Sequence, residues 1–317
     1  MLGSLHRMCS NAVTGSCGCC ARETPRRLRY TLMCGWLLFA TAVTAGIVVT
    51  GLVLSPREHR IDVPLEYTAV NCSSFDSNST AIILAFGQSN SANHGSATSR
   101  REHPAVGNLR VEDASCYIAR SPLLGATGVG GSPWPELADK LLNCSTYERV
   151  LIVPFGVGGT TIRMWAPGGE HHPRIATVAR ALEHVGLRAT HVLFHQGESD
   201  AHTDPIEYTA AFTSLRIAMI LQGLDAPMFV AVASLCGANT RSEPLRAAQQ
   251  ALPDSDVLAG SVFAGPDTDV LGESFRFDGC HFNEQGLTAH ADLWFSALQV
   301  SGTVVSSRPM TPVCSLI

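Results

Sequence analysis

Three side chains that together can cleave an ester occur in this sequence. Ser89 lies three residues after the end of an apolar run at 81–86, and Asp278 and His281 lie three residues apart near the C-terminus. A serine hydroxyl is a weak nucleophile until a histidine removes its proton, and that histidine needs a carboxylate to fix its tautomer. If the segment from 278 to 281 turns like one helical turn, the carboxylate and the imidazole share one side of it. The three residues therefore predict acyl-transfer chemistry.

Acyl transfer also requires donors for the negative oxygen of its tetrahedral intermediate, each worth about 3 kcal/mol. The sequence offers the backbone N–H groups of Ser89, Gly158 and Gly159 and the side-chain amide of Gln196. We predict that these groups converge on one oxyanion. Gly87 allows a sharp turn after the preceding strand, which exposes the serine.

These residues fall in four short blocks: GQSN at 87–90, GGTTIRMW at 158–165, HQGESD at 195–200 and DGCH at 278–281. The four blocks, in this order, resemble those of the SGNH (GDSL-like) hydrolase superfamily. The similarity is to the branch that contains sialate O-acetylesterases and the carbohydrate esterases that act on acetylated xylan. The superfamily takes its name partly from an Asn in the third block, but this branch uses Gln, as this chain does.

The resemblance implies a role for each matching residue. Ser89 is the expected nucleophile, His281 the general base and then acid, and Asp278 the residue that orients it. The amides of Ser89 and of the glycine block, with Gln196, are the expected oxyanion hole. The resemblance also implies a flavodoxin-like three-layer α/β/α fold, an acylated carbohydrate as substrate, and neither metal nor cofactor.

Four further side chains are predicted to contact the substrate. Gln88 and Asn90 flank the serine, and Trp165 ends the glycine block. An aromatic face packs well on a sugar ring, although a plain packing role fits Trp165 equally well. Glu198 is the fourth, and it is open whether it holds a strand end or touches the nucleophile loop.

The elements that position these blocks can be predicted from apolar patterning. Compact runs rich in Val, Ile, Leu and Phe are typical of strands buried on both faces. Longer patterns between them are typical of helices, and the alternation predicts a parallel sheet flanked by helices. Ligands of such sheets bind beyond the carboxyl ends of the strands, where the blocks fall. The predicted strands cover 81–86, 149–155, 190–195, 227–234 and 257–263, and the predicted helices 134–143, 174–187, 206–222, 241–251 and 284–299.

A membrane span is predicted before the domain. Residues 31–54 carry no charged side chain over 24 positions, which as a helix covers roughly 36 Å against a hydrocarbon core of about 30 Å. Arginines dominate its N-terminal flank, so we expect a cytoplasmic N-terminus and an extracytoplasmic catalytic domain, in a periplasm, at a cell surface or in a secretory lumen. A cleaved signal peptide is the alternative, although its apolar region is usually shorter. The predicted order is a disordered tail (1–30), the span (31–54), a linker (55–80), the esterase domain (81–301) and a C-terminal tail (302–317).

Charge and cysteine content limit the remaining possibilities. The net charge of −5 and the absence of a basic stripe argue against nucleic acid as a partner. Neither His171 with His172 nor His195 with His202 has the spacing of metal ligands, so no metal site is predicted. The six cysteines after the span allow disulfides in an exported domain, and buried thiols are an equal alternative; they are Cys72, Cys116, Cys144, Cys236, Cys280 and Cys314.

Two other functions are compatible with the same sequence. The chain could be a membrane-tethered glycan-binding protein that kept the pocket and lost catalysis, since fold and activity can separate. It could also be an O-acyltransferase, in which a sugar hydroxyl replaces water as the acyl acceptor.

Overall fold

The computed structural model describes residues 66–96, 102–237 and 241–303. In these residues no helix has the length and apolar character needed to cross a bilayer. The N-terminal tail, the predicted span at 31–54 and most of the C-terminal tail lie outside the described residues.

One mixed sheet of eight strands forms the centre of the domain. The strands lie in the order β1-β4-β3-β5-β2-β6-β7-β8. The six strands β3, β5, β2, β6, β7 and β8 run parallel to one another. Strand β4 is antiparallel to both of its neighbours, β1 and β3. The strands are β1 (Ala69–Val70), β2 (Thr80–Gly87), β3 (Val106–Arg110), β4 (Ser115–Ile118), β5 (Arg149–Pro154), β6 (His191–His195), β7 (Met228–Val232) and β8 (Val262–Asp267).

Helices cover both faces of the sheet. Apolar side chains of α1 and α6 pack on one face, and those of α2, α3, α4 and α5 pack on the other. Strand β2 contributes to both cores, because alternate side chains point to opposite faces of a strand. The predicted three-layer α/β/α arrangement is therefore present. The helices are α1 (Trp134–Cys144), α2 (Ile162–Trp165), α3 (Pro173–Val185), α4 (Pro205–Leu221), α5 (Glu243–Ala251) and α6 (Glu284–Val300).

Local side-chain chemistry sets several helix ends. Asp204 begins α4 by accepting hydrogen bonds from the N–H groups of Ile206 and Glu207, and Asn283 begins α6 by accepting one from Gly286. Such caps satisfy donors that the helix itself leaves free. The Asn283 cap fixes where α6 begins, three residues after His281.

The domain begins earlier than the sequence predicts. The described part of the predicted linker, 66–80, belongs to the domain: Ala69–Val70 pairs with β4, Phe75 is buried in the core, and a disulfide joins Cys72 to Cys116. These contacts could not be predicted from the sequence, because a two-residue strand and one aromatic side chain within a polar segment give almost no periodic apolar pattern. Strand β8 also begins later than the predicted run at 257–263, which largely precedes it.

Candidate active site

The carboxyl ends of three neighbouring strands bring three of the four blocks together. Gly87 at the end of β2 has a φ of +128°, and a Cβ there would lie 2.0 Å from His195 O, so only glycine fits. Gln88 N donates to His195 O at 3.0 Å, and Val157 N donates to Gly87 O at 2.9 Å. The loop at 87–90, the nucleophile loop named for the predicted role of Ser89, is therefore held between the glycine block after β5 and the block after β6.

Ser89 is the first residue of a short 3-10 turn, Ser89–Ser91, and is 5% exposed. Its neighbour Asn90 donates from Nδ2 to Cys280 O at 3.2 Å, and Cys280 immediately precedes His281. The nucleophile loop and the fourth block are thus in direct contact, although no hydrogen bond in the described part of the chain joins Ser89 Oγ to the His281 ring.

The Asp278 and His281 side chains form a close pair. His281 Nδ1 lies 2.7 Å from Asp278 Oδ2, and Asp278 Oδ1 accepts the backbone N–H groups of His281 at 2.6 Å and of Cys280 at 2.9 Å. Partial burial works against ionisation of this carboxyl, but the hydrogen bonds from His281 and Cys280 outweigh it and lower the pKa of Asp278. An ionised Asp278 accepts a hydrogen bond from the Nδ1–H of the imidazole, which leaves Nε2 free to act as a base.

The two glycines of the glycine block differ in whether their backbone N–H groups have an acceptor within the described residues. Gly158 N–H donates to Thr127 Oγ1 at 2.8 Å and is therefore occupied. Within the described residues, the N–H groups of Ser89 and Gly159 have no protein acceptor. The two predicted glycines are thus distinguished, and Gly159 is the one with an N–H group available to an oxyanion.

Gln196 does not occupy the predicted oxyanion position. Its side chain is fully buried, and Nε2 lies within hydrogen-bond distance of Gln88 Oε1, Thr160 O and Asp200 Oδ2. An amide has two N–H groups, so these protein acceptors account for both. The side chain therefore braces the second and third blocks against each other, which corrects the prediction that it donates to the oxyanion.

The side chains of Gln88 and Trp165 are also part of the scaffold. Gln88 Oε1 accepts from Ser199 N at 3.0 Å as well as from Gln196, which holds the nucleophile loop on the third block. Trp165 is fully buried and donates from Nε1 to Thr160 Oγ1 at 2.9 Å. Neither side chain is placed to contact a substrate, so for Trp165 the packing alternative is correct.

Asn90 and Glu198, likewise predicted to contact substrate, are buried partners of each other. Asn90 Nδ2 lies 2.6 Å from Glu198 Oε1, and the same oxygen lies 2.8 Å from His195 Nε2. Burial opposes ionisation of this carboxyl, but the charge of His195 and the hydrogen bonds from His195 and Asn90 outweigh it, so the pKa of Glu198 lies well below its usual range. Of the two roles left open for Glu198, contact with the nucleophile loop is the one observed.

A buried hydrogen-bond network continues from Glu198 into the core. His195 Nδ1 lies 3.1 Å from His290 Nε2, and Trp294 Nε1 donates to that same nitrogen at 2.9 Å. The side chains of His195 and His290 are fully buried. The network therefore connects the nucleophile loop, through Asn90 and Glu198, to the core beneath the sheet end.

Asp200 connects the third block to the glycine block. Its carboxylate accepts the N–H of Ile162 at the start of α2, the amide of Gln196 and the hydroxyl of Thr203. Burial raises the pKa of Asp200 to about 6, against the opposing effect of these hydrogen bonds. One buried carboxyl group thus fixes the start of α2, within the glycine block, to the third block.

Three residues at the site were not identified from the sequence: His94, Thr127 and Phe277. The ring of His94 stacks on that of His281 with centroids 5.5 Å apart, and its Nε2 lies 3.3 Å from Thr127 Oγ1. Burial, followed by the charge of His281, lowers the pKa of His94. Phe277 is 54% exposed, and its ring stacks on that of His281 with the two centroids 6.1 Å apart. All three lie outside the blocks, so only their three-dimensional contacts reveal them.

The described residues contain no group of three or more His, Cys, Asp or Glu side chains arranged to hold a metal ion. The site is built from a serine, a histidine–aspartate pair and two open backbone donors.

Residues 79–290 of the chain match the family described as carbohydrate esterase, sialic acid-specific acetylesterase. This chain belongs to that family. The match includes all four blocks, so the protein is a carboxylic ester hydrolase of the carbohydrate esterase class. No curated protein sequence matches this esterase.

Two solved structures share the fold of the esterase. A protein from Arabidopsis thaliana is 19% identical with a TM-score of 0.58, and the match covers 71% of this chain and 99% of that one. The structure of NanS is 16% identical with a TM-score of 0.50, and the match covers 70% of this chain and 97% of that one. At these identities the comparisons establish the α/β fold alone.

Proposed function

We propose that this esterase removes acyl groups, specifically acetyl groups, from hydroxyls of a carbohydrate, with Ser89 as the nucleophile. The observation that carries the proposal is the Asp278–His281 pair, held at 2.7 Å in the turn that Asn90 links to the nucleophile loop. The hydrogen bond from serine to histidine is often long in unliganded hydrolases and tightens in the substrate complex.

In the first step His281 Nε2 takes the Ser89 proton while Oγ attacks the ester carbon. Asp278 stabilises the resulting imidazolium without itself taking a proton. In this proposal the negative oxygen of the tetrahedral intermediate accepts hydrogen bonds from the N–H groups of Ser89 and Gly159. Collapse of this intermediate transfers the proton from His281 to the departing sugar hydroxyl and leaves an acetyl group on Ser89.

In the second step water attacks the acetyl-enzyme. His281 removes a proton from that water, the same two backbone donors stabilise the second tetrahedral intermediate, and acetate leaves as Ser89 regains its proton. The catalytic cycle requires only groups that the chain supplies.

The carbohydrate as substrate is supported by the family and by the exposed ring of Phe277 beside His281. An exposed aromatic face at a catalytic residue is suited to the apolar face of a sugar ring. The buried Trp165, predicted for this contact from the sequence, is replaced in the proposal by Phe277.

Activity of the full chain on acetylated sialic acid, acetylated xylan and acetylated peptidoglycan tests the proposal. We expect acetate release from at least one of them, and its loss in a Ser89→Ala variant that keeps the parental circular dichroism. Acetate release by Ser89→Ala at the parental rate would refute the assignment. Glycan binding without acetate release would favour the binding protein, and acetyl transfer to an added sugar in preference to water would favour the acyltransferase.

We further propose that residues 31–54 anchor the catalytic domain to a membrane, with the N-terminus cytoplasmic. The uncharged length of this segment and the arginines before it support the topology. The disulfides of the domain fit an oxidising compartment. Retention of the full chain in membranes after alkaline carbonate extraction tests the anchor, and release of a chain shortened by cleavage would instead identify a signal peptide.

A further inference from the structure

Cys280, the residue before His281, is fixed through each of its polar groups. Its N–H donates to Asp278 Oδ1 at 2.9 Å, and its carbonyl oxygen accepts from Asn90 Nδ2 and from the guanidinium of Arg276. Its sulfur forms a disulfide with Cys236. Cys280 is therefore the point at which the nucleophile loop, the Asp278–His281 turn and the loop after β7 are joined.

The loop that carries Cys236 is itself firmly held. Asp269 is fully buried and accepts hydrogen bonds from Ser234 N, Ser234 Oγ and Leu235 N. Arg246 pairs with the same carboxylate at 2.9 Å. Cys236 thus follows two residues whose backbone is fixed to the core, and its disulfide extends that fixed base to the turn that carries the histidine.

The turn itself has few other attachments to this base. Side-chain exposure is 39% for Asp278 and 23% for His281, so the pair lies near the surface. Besides the disulfide, one backbone hydrogen bond among the residues described up to 237 and from 241 onwards, from Gly237 N to Gly279 O at 2.9 Å, joins the turn to the loop after β7. A covalent link at this point restricts the turn far more than that single exposed bond, whose net contribution is modest.

We propose that the Cys236–Cys280 disulfide is a positioning element for His281, and that the esterase reaches its full rate only while this disulfide is intact. The proposal rests on the function proposed above for Ser89 and His281. Reduction by a dithiol adds two electrons and two protons to the disulfide, which yields two cysteine thiols, while the dithiol becomes a disulfide. Cys236 is only half-buried, so a small dithiol has a path to the bond.

Another disulfide within the described residues, Cys72–Cys116, provides a matched control. Cys72 and Cys116 are separated by 44 residues, as are Cys236 and Cys280, so the two bonds close loops of the same length. Loss of either should release a similar amount of chain entropy on unfolding. The Cys72–Cys116 bond lies beside β1 and in β4, which are three or more strands from β2, and Cys72 Sγ lies near Ala114 O.

The experiment compares the full chain with two double variants, C236S/C280S and C72S/C116S, and with Ser89→Ala. We measure kcat and KM for 4-nitrophenyl acetate, the midpoint of thermal unfolding, and the rate at which a fluorophosphonate labels Ser89. The expected result for C236S/C280S is a loss of kcat and of labelling rate of about tenfold to a hundredfold, with KM close to the parental value. C72S/C116S should lose comparable thermal stability and keep both rates.

A second measurement keeps the proposal testable should C236S/C280S fold poorly. The C72S/C116S protein is titrated with dithiothreitol, and the thiols released are identified by alkylation and mass spectrometry. Activity should fall as Cys236 and Cys280 become alkylated and return on reoxidation.

Three outcomes would overturn the inference. The first is a parental kcat in C236S/C280S, the second is an equal loss of activity in both double variants, and the third is unchanged activity after release of the Cys236 and Cys280 thiols. If the oxidised parent itself shows no activity that depends on Ser89, the proposed function fails as well, so the two failures are distinguishable.

Discussion

Asn90 Nδ2 donates both to Glu198 Oε1, at 2.6 Å, and to Cys280 O, at 3.2 Å. One amide group thus joins the nucleophile loop to the third block and to the residue before His281. The relative position of the proposed nucleophile and its base depends on this group more than on any contact between the two side chains themselves.

Replacement of Asn90 by alanine should therefore impair catalysis beyond its effect on stability. Loss of the donor leaves the buried Glu198 carboxylate less well paired, at a cost of about 1–3 kcal/mol in the free energy of unfolding. Misplacement of the serine relative to His281 should lower kcat by about tenfold to a hundredfold. Urea unfolding and kinetics with 4-nitrophenyl acetate measure the two effects.

Asn108→Ala is the matched control for this prediction. Asn108 is also buried, and its amide group forms two hydrogen bonds with the backbone of Leu124, a residue outside the four blocks. It should lose comparable stability and keep the parental kcat. If Asn90→Ala also keeps the parental kcat, Asn90 has no positioning role.

The two glycines of the second block should respond differently to alanine. A Cβ at Gly158 would lie 2.7 Å from His94 Nε2, so His94 must move, and with it the ring that stacks on His281. A Cβ at Gly159 meets nothing within 4 Å, and the N–H group is retained, but its φ of +74° costs an alanine about 1–2 kcal/mol. We expect Gly158→Ala to lower kcat/KM markedly and Gly159→Ala to lower mainly the thermal midpoint. The reverse order in kcat/KM would contradict this account of the loop.

Features of the fold that depend on local apolar patterns could be predicted from the sequence, whereas features that depend on contacts between segments far apart in the chain could not. Several strands of the sheet and its helices follow from apolar periodicity. The blocks that begin at residues 87, 158 and 195 mark the correct loops because they lie at, or within four residues of, the ends of β2, β5 and β6. The two-residue β1 is set by pairing with the distant β4, and in the hairpin of β3 and β4 the polar residues Asn108, Arg110 and Ser115 interrupt the apolar pattern.

Side-chain roles within the blocks were harder to predict than the blocks themselves. Gln88, Gln196 and Glu198 are polar residues at a site, and from sequence alone a brace cannot be distinguished from a substrate contact. Their burial decides the matter, because a buried polar group must bond to its protein neighbours. His94 and Phe277 contact His281 only through the folded chain, so no motif marks them.

Phe277 should contribute to binding of a sugar and little to the chemistry. Phe277→Ala removes an exposed aromatic face and should raise KM for acetylated sugars by roughly threefold to tenfold, while Phe277→Trp should retain binding. The kcat/KM for 4-nitrophenyl acetate, which lacks a sugar ring, should stay close to the parental value. Leu221→Ala, which alters an exposed apolar side chain at the end of α4, is the control. Equal loss on both substrates would contradict a sugar contact.

Asp200 should make the free energy of unfolding depend on pH. Burial raises the pKa of this carboxyl from its ordinary value of 3.8 to about 6, so the folded chain binds the proton more tightly than the unfolded chain does. The contribution of Asp200 to the free energy of unfolding is fully present below pH 3.8, the pKa in the unfolded chain. It falls by on the order of 3 kcal/mol as the pH rises from there through about 6, the pKa in the folded chain. Urea unfolding of the parent and of Asp200→Asn should show the parent losing stability relative to the variant across this interval. A constant difference would contradict the assigned shift.

The most direct test of the central claim is covalent labelling of the nucleophile. A fluorophosphonate reacts with a serine whose proton is removed by a histidine, and mass spectrometry of the digested protein locates the adduct. We expect the adduct on Ser89 in the full chain and a labelling rate reduced by at least about a hundredfold in His281→Ala, with the fold retained. An adduct on another residue of an active enzyme, or labelling of Ser89 at the parental rate in His281→Ala, would contradict the claim that His281 activates Ser89.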